Sequence, residues 1–160
     1  MYSSSPETPF CLTGTLNNRP LESLLERVFS LRRIAKLYAG MTPSRDEGEF
    51  LQRLFETFNI NYQVADAELA RIPKTGPLVI VANHPFGCVE GVIMAAMLRQ
   101  VRPDVKIMAN FVLQRIPEVR NLFIAVNPFG GKGATRSNIA PLKEALRWLK
   151  QDGLLVVFPA

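Results

Sequence analysis

Residues 76–91, GPLVIVANHPFGCVEG, decide the fold. A Gly-Pro turn releases the chain into Leu78, Val79, Ile80, Val81 and Ala82, an unbroken apolar run with the pattern of a strand covered on both faces. Asn83 and His84 close the run, and Val89 to Gln100 reads as a helix. A strand that ends in polar residues and turns into a helix is one unit of an α/β sheet. His84 is the only histidine in 160 residues, and Glu90 stands six positions after it, in the first turn of the helix. The loop between them can fold back so that the carboxylate orders the imidazole, as in a general base with its orienting acid. A lone histidine can instead satisfy a local hydrogen bond near a helix start. Its place at a strand end, beside an acid, favours chemistry.

Outward from this stretch the same unit recurs. "VKIMA" (105–109), "LFIAV" (122–126) and "LLVVF" (154–158) read as further strands, and "FVLQRIPEVRNLF" as short helical pieces interrupted at Pro117. "SNIAPLKEALRWLKQDG" (137–153) reads as a helix capped by Ser137 or Asn138, with Leu142, Ala145, Leu146 and Leu149 inward and Gly153 as its stop. Alternating strands and helices predict an α/β fold with a mostly parallel sheet flanked by helices. Such sheets place ligands outside the carboxyl ends of their strands, where His84, Asn110, Asn127, Pro159 and Ala160 fall.

Upstream, residues 1–20 have no hydrophobic period and four Pro or Gly residues, and read as an irregular arm. Residues 21–60 form a helical segment. Leu24, Leu25, Val28, Leu31, Ala35 and Tyr38 line one face of a basic helix that ends near Gly40. Ser44 is the expected cap of a second helix carrying Phe50, Leu51, Leu54, Phe55 and Phe58 on its apolar face. A short strand is expected around Tyr62, and residues 61–160 form the α/β part.

A net charge of +5 favours an anionic partner: a phospholipid surface, an acidic carrier protein, a phosphorylated substrate or nucleic acid. Nucleic acid is the weakest of these, because the basic residues are dispersed and no aromatic platform interleaves them. The two cysteines, Cys11 and Cys88, are far apart and lack metal-ligand spacing, so neither a disulfide framework nor a metal site is expected. No apolar run reaches the roughly 18 to 20 residues of a membrane span, and the N-terminus lacks signal-peptide features. A reducing, cytoplasmic setting is the default expectation.

GPLVIVANHPFGCVEG resembles the first conserved block of the phospholipid/glycerol acyltransferase superfamily, in its hemolysin-like, lysophospholipid and ornithine-lipid acyltransferase branch. The branch has the wording Asn-His-Pro-Phe-Gly and five residues between histidine and acid; here Glu90 replaces the usual Asp. The resemblance continues through "VNPFGGKGATRSNIAPLKEALRWLKQDGLLVVFPA" and covers residues 72–160. It implies transfer of a fatty acyl group from acyl carrier protein or coenzyme A, as co-substrate, to a lysolipid or amino-lipid acceptor. No bound cofactor is implied. His84 would be the general base and Glu90 its orienting acid, with Asn83 and Gly87 beside the reacting carbonyl.

The block after the third strand implies Lys132 and Arg136 as contacts to the acceptor's phosphate, against a reading of solvated loop charge. "GGKGATRS" is not a P-loop, since the lysine is followed by Gly. Cys88 occupies a position where the family has a small residue, and reads as packing rather than as a nucleophile. Family members continue past "VVFPA" with a Gly-Glu or Glu-Gly block, so the resemblance also implies an incomplete domain. The alternative is an inactive fragment that only binds a membrane surface or carrier protein. The expected location is peripheral, on the inner leaflet of the cytoplasmic membrane. The helix at 21–39 either lies on anionic lipid or packs with a solvated basic face.

Overall fold

The computed structural model describes residues 38–41, 44, 46–83, 85, 88–127 and 134–159. The chain divides into two compact units, Met1–Ser44 and Arg45–Ala160. In the first unit residues 38 and 39 are helical, Gly40 is a turn, and Met41 donates its N–H to the Tyr38 carbonyl at 3.0 Å. The helix expected from Leu21 thus ends near Gly40; its earlier part and the arm at 1–20 lie outside the described residues.

In the second unit the order is α1 (Glu47–Phe58), α2 (Asp66–Leu69), β1 (Leu78–Val81), α3 (Cys88–Arg99), β2 (Val105–Asn110), 3-10 turns at Phe111–Arg115 and Arg120–Leu122, β3 (Phe123–Val126), α4 (Ala134–Lys150) and β4 (Leu154–Val157). The strands form one parallel sheet in the order β1-β4-β2-β3. From β1 the chain passes β4 to reach β2, and from β3 it passes β2 in the opposite direction to reach β4. Right-handed crossovers then set α3 and α4 on opposite faces of the sheet.

Residue chemistry explains most of the element ends. Asp46, not Ser44, caps α1, its Oδ1 accepting the Glu49 N–H at 2.9 Å. Asp46 is placed to reach the third N–H of the helix, and the acids Glu47 and Glu49 follow in the first turn. Phe50 and Leu51 are buried while Phe58 is exposed, so the apolar face of α1 is narrower than its pattern implies. Glu47 pairs with Arg99 of α3 at 2.5 Å. No strand forms around Tyr62; its ring tilts against Phe55 at 5.6 Å and its hydroxyl accepts from Gln100. β1 is an edge strand, not one covered on both faces: Val79 and Val81 are 47% and 65% exposed.

The second long helix also departs from expectation. α4 begins at Ala134, so Ser137 and Asn138 lie inside it rather than at its cap, and so does Pro141, which cannot donate a helical hydrogen bond. Ala145 is buried against Ile124 and Leu155, with Leu149 partly buried beside them, but Leu142 and Leu146 face outward. At its C-terminal end the left-handed position belongs to Asp152, with φ 64°, rather than to Gly153. Gly153 is required for another reason. An added Cβ would lie 2.5 Å from Cδ1 of Trp148, whose indole N–H donates to the Leu154 carbonyl at 3.1 Å.

Candidate functional site

Because all four strands are parallel, their carboxyl ends share one edge of the sheet. On that edge stand Asn83 beyond β1, Asn110 closing β2, Asn127 after β3, and Phe158 and Pro159 after β4. Asn83 is exposed. Glu90 lies in the first turn of α3 and is half-buried. The two flank His84 in the sequence, while His84 and Gly87 themselves lie outside the described residues.

The end of β4 approaches the same place. The Ala82 N–H donates to the Val157 carbonyl at 3.2 Å, which extends the parallel pairing of β1 and β4 by one step. A Cβ built on Gly91 would sit 4.0 Å from the Phe158 ring, an ordinary packing distance. Glu90 is next in sequence, so the first turn of α3, the end of β1 and the end of β4 converge. Glu90 and Asn83 thus belong to segments that meet at the end of β4, where Phe158 packs by Gly91.

Arg136 is exposed on the first turn of α4, beyond the carboxyl end of β3. It shares the functional edge with Asn83 and Glu90, but β1 and β3 are the two outer strands. Three strand spacings separate them, about 14 Å. Arg136 is therefore brought to the same edge without being brought into contact. Lys132 lies outside the described residues.

One residue of this edge had only a capping role in the sequence. The side chain of Asn138 accepts the Asn127 N–H through Oδ1 at 2.7 Å and donates through Nδ2 to the Asn127 carbonyl at 2.9 Å. A carboxamide matches a peptide group in donor and acceptor, so Asn138 pairs with the end of β3 as a neighbouring strand would. This latch joins the end of β3 to the second turn of α4. The sequence signal was an Asn one turn inside an apolar-faced helix, where a side chain with no backbone duty is better replaced by a stronger helix former.

Among the described residues no helix is long and apolar enough to cross a membrane, and no group of three or more His, Cys, Asp or Glu is placed to hold a metal ion.

A sheet of this kind, with a carboxylate and polar side chains gathered at its carboxyl edge, is an enzyme architecture of the α/β class. Residues 27–149 match the model of an acyltransferase family, and the chain belongs to that family. No curated protein and no solved structure matches it.

Proposed function

We propose that this acyltransferase moves a fatty acyl group from a thioester of acyl carrier protein or coenzyme A to the hydroxyl or amine of a lysolipid or amino-lipid precursor, in the manner of the hemolysin-like, lysophospholipid and ornithine-lipid branch. The observation that carries the reading is the family match over 27–149, which contains the turn between Asn83 and Glu90.

An alcohol or ammonium group is a poor nucleophile near neutral pH. In the proposed scheme an ammonium acceptor first gives one proton to solvent, and His84 then takes the proton of the hydroxyl or neutral amine as its oxygen or nitrogen attacks the thioester carbonyl, while Glu90 holds the tautomer and stabilises the imidazolium. A new C–O or C–N bond forms. The tetrahedral adduct then collapses with cleavage of the C–S bond, and the imidazolium returns the proton to the departing thiolate. Asn83 and backbone N–H groups near Gly87 are assigned to the oxyanion, and Lys132 and Arg136 to the acceptor's phosphate or head group. The scheme uses the thioester as co-substrate and no bound cofactor. The acceptor and product are lipids, which suits a peripheral enzyme on an anionic cytoplasmic leaflet.

The test incubates the full chain with labelled acyl carrier protein or acyl-coenzyme A and a panel of lysolipids and amino-lipids, and follows label into lipid. His84→Ala is expected to lower turnover about a hundredfold or more while leaving the circular-dichroism spectrum unchanged. Transfer persisting in that variant at the wild-type rate removes His84 from the mechanism. Lipid or carrier binding without any transfer by the wild-type chain overturns the proposed activity.

A further inference from the structure

We propose that the outward face of α4 is the surface through which the protein seats on anionic phospholipid. Along this helix Ile139, Leu142 and Leu146 are 48%, 50% and 59% exposed, and their spacing of three and four residues aligns them in one stripe. At 100° per residue, Lys150, Lys143, Arg136 and Arg147 follow one another directly beside that stripe. On its other side the stripe runs into Leu149 and Ala145, which pack on the sheet.

The charge on this face has one sign. None of the four cations pairs with a carboxylate among the described residues. The helix's one acid, Glu144, is only partly exposed and is held by Lys106 of β2 at 2.9 Å. Lys143, Arg147 and Lys150 ring Leu146 in a shallow depression. The same side of the sheet is apolar beyond the helix as well. Val79 and Val81 are in register with Leu155 and Val157, and partners in a parallel pair point to the same face. Leu155 and Val157 belong to the core under α4, so the exposed Val79 and Val81 lie on the side that α4 covers.

Aliphatic side chains beside a row of unpaired cations match the acyl boundary and the phosphate level of an anionic bilayer. A protein partner would more often be met by an aromatic anchor with satisfied hydrogen bonds at the centre of the patch, and this face presents neither. α4 starts at the carboxyl edge of the sheet, so a helix lying in the interface brings the candidate site to its lipid. The assignment deepens the proposed function by naming the face that meets the membrane, but binding is measured without turnover.

The experiment is co-sedimentation of the full chain with vesicles of phosphatidylcholine alone or of equal parts phosphatidylcholine and phosphatidylglycerol, at low and high salt. Binding is expected on the mixed vesicles and is weakened by salt. The triple variant Lys143→Glu, Arg147→Glu, Lys150→Glu should lower the partition coefficient by roughly a hundredfold or more, since each cation near the surface accounts for about fivefold. Leu142→Ser with Leu146→Ser should weaken binding even where charge is retained. Unchanged melting temperatures show that both variants are folded; if either melts early, Lys143→Gln with Lys150→Gln replaces it and should still lower binding about 25-fold. Partition unchanged by charge reversal overturns the assignment, as does saturable binding to an acidic protein with none to vesicles. A wild-type chain that transfers acyl groups but does not bind the mixed vesicles refutes this face alone, whereas vesicle binding without transfer refutes the proposed reaction.

Discussion

Arg102 and Asp104 form a two-pronged ion pair, Nε to Oδ1 at 2.7 Å and Nη2 to Oδ2 at 2.5 Å, at the edge of the sheet opposite the candidate site. The guanidinium is 3% exposed. Its remaining N–H groups donate to the carbonyls of Pro73 and Gly76, ahead of β1, and of Asp152, ahead of β4. Asp104 itself leads into β2. One side chain thus ties together the loops that feed three of the four strands, with all five of its donors used. Burial of a charge is tolerable here because every hydrogen has an acceptor.

Replacing Arg102 by Met is expected to destabilise the fold by about 3–5 kcal/mol, because Asp104 and three carbonyls lose their donor together. Arg102→Lys should recover only part of this, since an ammonium cannot reproduce the planar fork. Urea denaturation of both variants checks the order. Equal stability of the Met variant and the wild type would show that the tie is dispensable.

The same pair predicts a pH dependence. The hydrogen bonds from Arg102 hold the Asp104 carboxyl below its ordinary range and raise the Arg102 guanidinium above its own. A carboxyl lowered in the folded state contributes stability that is present above its unfolded pKa and is lost as pH falls through the lower, folded value. The wild-type protein should therefore lose this component below about pH 4, whereas Asp104→Asn, which has no carboxyl to titrate, should be less stable at neutral pH and show no such loss on acid unfolding. Glu47 acts with the opposite sign: burial raises it, although Arg99 opposes the rise. Its contribution is present at low pH and declines as pH rises through the raised value.

At the end of α4, Gly153→Ala should destabilise by about 1–3 kcal/mol through overlap with Trp148, although the backbone there needs no glycine. Asp152→Gly should be neutral or stabilising, because Asp152 holds the left-handed position. Thermal melts of the two variants separate close approach from backbone conformation. A Gly153→Ala protein melting with the wild type would show that the indole moves aside.

The latch between Asn138 and Asn127 predicts a local effect. Asn138→Leu removes both hydrogen bonds and should destabilise by about 1–3 kcal/mol. Asn138→Asp keeps the acceptor but turns a carboxylate oxygen toward the Asn127 carbonyl. Hydrogen exchange at the Asn127 amide should quicken in the Leu variant and remain slower in the Asp variant; identical exchange in all three proteins would show that this contact does not hold the end of β3.

The sequence by itself determined the α/β class, the parallel sheet, the four strands and the long helices, because each rests on local periodicity and on where polar residues interrupt it. "GPLVIVANH" and "LLVVF" declare strands whatever surrounds them, and the place of His84 at a strand end, six residues before Glu90, marks the two as candidates for a base and its orienting acid. Tertiary structure decided what local pattern cannot carry. Strand order made β1 an edge and left Val79 and Val81 uncovered, although their run reads as fully buried. The angle at which α4 meets the sheet selected Ala145 and Leu149 for the core and turned Leu142 and Leu146 outward, although all four belong to one apolar arc. The same packing moved Asn138 from a helix cap to a partner of Asn127, and made Arg102, one of 19 basic residues in the sequence, the tie between three loops. Burial depends on which surfaces meet, and those surfaces come from segments as distant in sequence as Leu78 and Leu154, which pair in the sheet.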